Sequence, residues 1–161
     1  MKLWNLNQVL NGIYFKKKKN KNLPKEISIA ICAFLNARGG KLYIGVKDDG
    51  SIHGIEEDIK LYKSKDKNKN IDRLQQDIAK RIREDLGGLG IDIKMYLITL
   101  NKKDIYIIEV EPSDNPVFFE NRDFFVRRGT SSIKLNPKET MDYVSSHFKS
   151  TILKFEEGIL D

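Results

Sequence analysis

The sequence of 161 residues predicts an α/β protein of the α+β type: a single domain over residues 1–161, with a mixed, mainly antiparallel sheet and about three packed helices. Three observations predict it. Three stretches repeat apolar residues at helical spacing, as helices buried along one face do. Several short runs alternate apolar and polar positions, as half-buried strands do. The strands are joined mostly by short turns, which suit antiparallel neighbours rather than the long crossovers of a doubly wound sheet.

The elements follow in order. Residues 3–15 are short and mixed, suited to a strand or two, and KKKKNKN at 16–22 reads as a solvated basic turn. Pro24 opens a helix at a position that tolerates its missing N–H. Ile27, Ala30, Ile31, Phe34 and Leu35 give that helix its stripe, and Ile29, Cys32 and Ala33 widen it to a helix buried on most sides. Gly39 and Gly40 stop it, because glycine takes the left-handed conformation without steric cost. KLYIGVK follows as a strand with Leu42, Ile44 and Val46 on one face; Asp48, Asp49, Gly50 and Ser51 turn it, and Ile52 to Ile55 return.

KLYKSKDKNK at 60–69 reads as a loop. A second helix is expected from about Ile71 to Leu86, with Asn70 as its cap and a stripe of Ile71, Leu74, Ile78, Ile82 and Leu86. Gly87, Gly88 and Gly90 break it. Strands at 91–99 and 105–111 form a hairpin around Asn101 to Asp104, and VFFE with FFVRR suggests a further pair around Asn121 to Asp123. The four phenylalanines there, Phe118, Phe119, Phe124 and Phe125, read as core. Asn136, Pro137 and Glu139 announce a capped last helix, with Met141, Val144, Phe148, Ile152 and Phe155 on one face.

Composition narrows the function. Lysine and arginine total 29 against 23 acids, a net charge of +6, which favours a polyanionic partner. The single cysteine, Cys32, excludes an internal disulfide and fits a buried thiol in a cytoplasmic protein. No stretch approaches the roughly 20 apolar residues of a membrane span, and no membrane partner is expected. The glycine clusters do not form a phosphate loop. Such a loop runs strand, glycines, helix, so that the ligand meets free N–H groups; here each cluster follows a helix and meets its carbonyl end. No nucleotide cofactor is expected.

Three segments in this order, ICAFLNARGG, KLYIGVKDDGSIHGI and FFVRRGTSSIKLNPKE, resemble the Schlafen core and the Alba-type DNA-binding domain, over about residues 13–145. The resemblance implies a compact α/β fold and nucleic-acid binding. In the Schlafen branch it implies metal-dependent cleavage of structured RNA by three carboxylates: two glutamates in an E-x-x-x-x-E-F-K stretch and an aspartate after the IGV strand. This chain departs there, with Val9 and Tyr14 at the two glutamate positions. Asp48 and Asp49 are the acidic candidates left for catalysis and Asp48 the one for metal; Glu26, Glu56 and Glu57 are the acids available as substitutes beside them. One turn aspartate alone does not hold Mg²⁺ usefully, since phosphodiester hydrolysis needs several hard oxygen ligands, and Asp-Asp-Gly is ordinary turn chemistry.

The cations remain. Lys16, Lys17, Lys18 and Lys19 form the densest run, and the resemblance aligns Lys16 with the lysine of E-F-K. Arg38 follows the first helix. Arg127 and Arg128 precede a small hydroxyl run containing Ser131, where guanidinium forks and hydroxyls suit phosphate oxygens. The expected function is therefore binding of DNA or RNA through the phosphate backbone by a homo-oligomer, a dimer, with no cofactor required for binding. The alternatives are a divergent endoribonuclease needing Mg²⁺ or Mn²⁺, and an inactive partner subunit of such a nuclease.

Overall fold

The structure is a computed structural model; it describes residues 12–13, 23–47, 49–87 and 93–148. The expectations for lysines 16–19, Val9, Tyr14, Asp48, Ile152 and Phe155 lie outside those residues.

Strand β1 (Gly12–Ile13), helix α1 (Leu23–Leu35) and strand β2 (Gly40–Ile44) come first. A one-turn helix α2 (Glu56–Ile59) runs into a 3₁₀ turn at Lys60–Tyr62, and α3 spans Lys67–Leu86. The long hairpin of β3 (Ile93–Leu100) and β4 (Lys103–Val110) follows, then the short hairpin of β5 (Phe125–Arg128) and β6 (Ser131–Lys134), then α4 (Pro137–His147). The main sheet has the order β1-β2-β4-β3; β1 lies parallel to β2 and the other pairings are antiparallel. The mixed, mainly antiparallel sheet and three long helices agree with the sequence. Among the described residues no helix is long and apolar enough to cross a membrane.

β4 is buried on both faces. Its even positions, Tyr106, Ile108 and Val110, join Leu42 and Ile44 in the main core under α1 and α3. Its odd positions, Ile105 and Ile107, form a smaller cluster on the other face with Val46. Val46 was expected beside Leu42 and Ile44. Gly45 intervenes at φ +96°, a value that breaks the two-residue alternation and sends Val46 to the opposite side.

α1 is the central helix, with Ile31, Cys32, Ala33 and Leu35 all fully enclosed. At its end Gly39 adopts φ +70° and its N–H reaches the Phe34 carbonyl at 3.0 Å. A Cβ on Gly40 would collide with the Phe34 ring, so the second glycine is needed for contact as well as for the turn.

Three local expectations change. Residues 60–69 are not a loop throughout. α3 begins at Lys67 with Asp66 as cap, its carboxylate accepting from the Asn68 amide at 2.9 Å. Asn70 is buried inside α3 and bonds the Ser64 backbone through both side-chain atoms, at 3.0 and 3.1 Å. A lysine-rich first turn hides that helix from an apolar-periodicity reading. Next, β5 pairs with β6, not with the 117–120 segment, which meets Asp123 only through one bridge at Phe119. Last, Met141 is 71% exposed; α4 packs instead through Tyr143, Val144 and Phe148 on Phe124, Val126 and Leu135. The expected cap of α4 is present: the Glu139 amide donates to Asn136 Oδ1 at 2.9 Å, and the Asn136 amide donates to Glu139 Oε2 at 2.8 Å.

One fully buried polar residue joins these parts. Asn36 Nδ2 donates to the carbonyls of Val117 (2.7 Å) and Phe125 (2.9 Å), and its Oδ1 accepts from the Val117 amide at 2.8 Å. Its own carbonyl accepts from the Tyr143 hydroxyl at 2.6 Å. Replacing Asn36 by alanine leaves the Val117 amide and the Phe125 carbonyl without this partner and the Val117 carbonyl with only the weak Cys32 thiol donor. The expected cost is about 3 kcal/mol, read as a fall in the urea midpoint at unchanged m-value; a cost below about 1 kcal/mol would contradict this role.

Candidate functional site

The site candidates divide between the two ends of β2. At its C-terminal end stands the acidic turn. Asp49 is exposed, and its Oδ1 accepts the Ser51 amide at 2.8 Å. Hydrogen bonds to Ser51 hold the carboxyl below the usual range. That is an aspartate closing its own turn. Glu56 accepts the Asp104 amide at 2.6 Å, and Glu57 pairs with Lys60 at 2.7 Å. Glu26 lies exposed in the first turn of α1. Each of these acids except Glu26 thus has a structural task. Among the described residues no three His, Cys, Asp or Glu side chains are grouped so as to hold a metal ion.

At the other end, beyond the C-terminus of α1, the arginines gather. Arg38 and Arg128 are both exposed. Both act on the Tyr143 phenol: burial raises its pKa, and the charges of Arg128 and Arg38 oppose that rise. Tyr143 in turn stacks on His147, at 4.9 Å between centroids and 22° between planes. Ser131 is exposed at the start of β6, paired with Arg128. The structure therefore brings Arg38, Arg128 and Ser131 to one region, although 90 residues separate the two arginines in sequence.

Arg127 has a different setting from the one its sequence position suggested. Its guanidinium lies over the Phe34 ring at 5.0 Å, donates to Ser132 Oγ at 2.9 Å, and donates to the Thr130 carbonyl. Burial lowers its pKa, but an arginine stays charged at neutral pH. The acids just upstream of it in the sequence are engaged by others: Asp123 by Lys134 at 2.9 Å and Arg122 at 3.3 Å, Glu120 by Arg122 at 3.5 Å. Arg127 thus closes the β5–β6 turn onto α1, and Arg128, next in the strand, faces outward.

Gly40 lies against Phe34, which carries Arg127, while Asp49 follows Val46 beyond the far end of the strand. At ~3.3 Å per residue the two ends of β2 lie about 13 Å apart, and Asp49 follows beyond the second. Arg38, Arg127 and Arg128 therefore do not converge with the Asp49 turn on one point.

Sequence reasoning missed Asn36 and Tyr143. Cys32 is as expected: it is buried, burial pushes its thiol up to about 12, and Sγ sits 3.4 Å from the Val117 carbonyl. Of the four phenylalanines, Phe119 and Phe124 are buried and Phe125 packs on the main core, but Phe118 is 37% exposed.

A family model described as Schlafen, AlbA_2 matches residues 11–136. This chain belongs to that family. Membership points to a nucleic-acid-binding domain and agrees with the resemblance carried by the three motifs. No curated protein matches the chain. Among solved structures, the crystal structure of the DIP2311 protein from Corynebacterium diphtheriae is similar, with a TM-score of 0.54 and 18% identity over 82% of this chain. At that identity the likeness is one of fold. This Schlafen, AlbA_2 chain spans 23% of the length of that protein.

The acidic turn of α2 carries a pH signature of its own. Burial, and then the charges of Glu57 and Glu56, raise the Asp58 carboxyl to about 6. A carboxyl raised in the folded state binds its proton more tightly there than when unfolded, so its contribution falls as pH rises from about 4 to about 6. Asp58→Asn is expected to raise the thermal midpoint at pH 7.5 and to leave it nearly unchanged at pH 4, measured by circular dichroism in parallel melts.

Proposed function

We propose that this Schlafen, AlbA_2 domain binds nucleic acid through the phosphate backbone, with Arg38 and Arg128 as contact residues at the end of α1. The observation that carries the reading is that two exposed arginines, 90 residues apart in sequence, both bear electrostatically on Tyr143, on a protein of net charge +6. Guanidinium groups match phosphate oxygens in a bidentate fork. Ser131, on the strand paired with Arg128, adds a hydroxyl donor. Arg127 supports this face rather than touching the ligand, because its guanidinium already holds the β5–β6 turn. Lys16, Lys17, Lys18 and Lys19 extend the cationic set in the sequence and act in the same way. Contacts of this kind supply affinity without choosing a base sequence. No cofactor is needed for them.

Backbone contacts displace condensed counterions, so affinity falls steeply with salt. Fluorescence anisotropy with labelled duplex DNA, single-stranded DNA and tRNA, titrated from 50 to 200 mM KCl, tests the reading. About four phosphate contacts would lower affinity roughly 10²-fold over that range. Arg38→Ala and Arg128→Ala are each expected to reduce the slope of log Kd against log salt by about one, for every sequence alike. A flat salt response in the wild type, or slopes unmoved by both substitutions, would overturn the proposal.

A further inference from the structure

Phe118 has a surplus of exposure that packing does not require. It lies on the wall of an open groove of about 600 Å³, within the roughly 300–1,000 Å³ range of ligand pockets. Phe124 backs it, tilted 56° with ring centroids 5.1 Å apart, and Phe124 is itself buried. The aromatic wall is therefore rigid while one face of Phe118 stays open. Arg122 and Lys134 also line the groove, and Asp123 between them holds both, at 3.3 and 2.9 Å. Their side chains nevertheless remain 71% and 56% exposed.

We infer that this groove takes an unpaired nucleobase, stacked on Phe118, with Lys134 and Arg122 meeting the phosphates on either side. The inference rests on the nucleic-acid reading above and deepens it, by assigning a preference for single-stranded nucleic acid. Three features favour a nucleotide. The wall is aromatic and every base has a π-face to stack on it. The mouth carries two cations suited to phosphate. The groove also neighbours the arginine face: Phe124 lies 5.9 Å from Tyr143, whose phenol feels the charges of Arg38 and Arg128. A strand whose backbone follows the arginines then has the groove beside it, since the two sites share the packing of Phe124. A duplex has its bases stacked on one another and offers no free face.

The test compares a single-stranded deoxythymidine oligonucleotide of about 12 nucleotides with a duplex of equal length, by anisotropy at fixed salt. Phe118→Ala is expected to weaken the single strand about 10-fold or more, since stacking on one aromatic side chain is worth ~1–3 kcal/mol. The duplex should change less than about two-fold, and the salt slope should stay as in the wild type, because no phosphate contact is removed. Phe118→Trp, which keeps the wall in place, should preserve or strengthen single-strand binding and serves as the folded control. Equal weakening of both ligands, or no weakening of either, overturns the groove assignment while leaving backbone binding intact. Absence of binding by the wild type to both ligands overturns the backbone reading itself and this inference with it.

Discussion

Asn36 is a buried amide at the end of the central helix, and the rest of the site depends on how its hydrogen bonds are satisfied. A buried amide without partners costs about 1–3 kcal/mol for each unmet group. Here three of its side-chain bonds go to backbone atoms of chain 81 and 89 residues away. Backbone partners cannot rotate aside as side chains can. The result is a joint that fixes α1 against the 117 segment and against β5. The Tyr143 hydroxyl adds α4 to the same joint by bonding the Asn36 carbonyl.

From this joint outward, each cationic residue gets its direction. β5 is fixed at Phe125, so Arg127 arrives over Phe34 and Arg128 on the next pleat faces outward. Phe34 can lie flat beneath Arg127 because residue 40 has no Cβ to displace it. Arg38 sits two residues past Asn36, where the partial negative charge of the helix end favours a cation. The hydroxyl of Thr130 follows in the tight turn that Arg127 closes, and those of Ser131 and Ser132 at the start of β6. Arginines distant in sequence share a face because of one amide and one stacked ring. The acidic turn, at the opposite end of β2, belongs to a different structural unit: it closes a hairpin, and nearby Glu56 ties α2 to the start of β4.

Much of this was legible from residue order. The α1 stripe, its glycine stop, the β3–β4 hairpin and the Asn136–Glu139 capping box all rest on local rules, and local rules can be read locally. The family resemblance and the fold class followed from the same segments. What was not legible depends on distant partners or on masked periodicity. Asn36 looks like an ordinary polar residue near a helix end; only the return of the chain at Val117 and Phe125 reveals it as a hub. Phe118 and Phe119 are indistinguishable in sequence, yet the bridge to Asp123 buries one and exposes the other. The start of α3 is hidden because its first turn carries lysine and asparagine rather than apolar residues, though Asp66 was there as a cap. Arg127 and Arg128 likewise differ only through the pleat, one turned inward to the aromatic ring and one outward.

The joint is tested most directly by native-state hydrogen exchange of the Val117 amide. Val117 lies in a segment without regular secondary structure, where amides ordinarily exchange by local fluctuation at little cost in free energy. If Asn36 locks this segment to the central helix, its amide should exchange only with the opening that exposes the α1 and β4 amides, at the same free energy as theirs. Exchange at the rate of an exposed loop, with α1 still protected, would contradict the account.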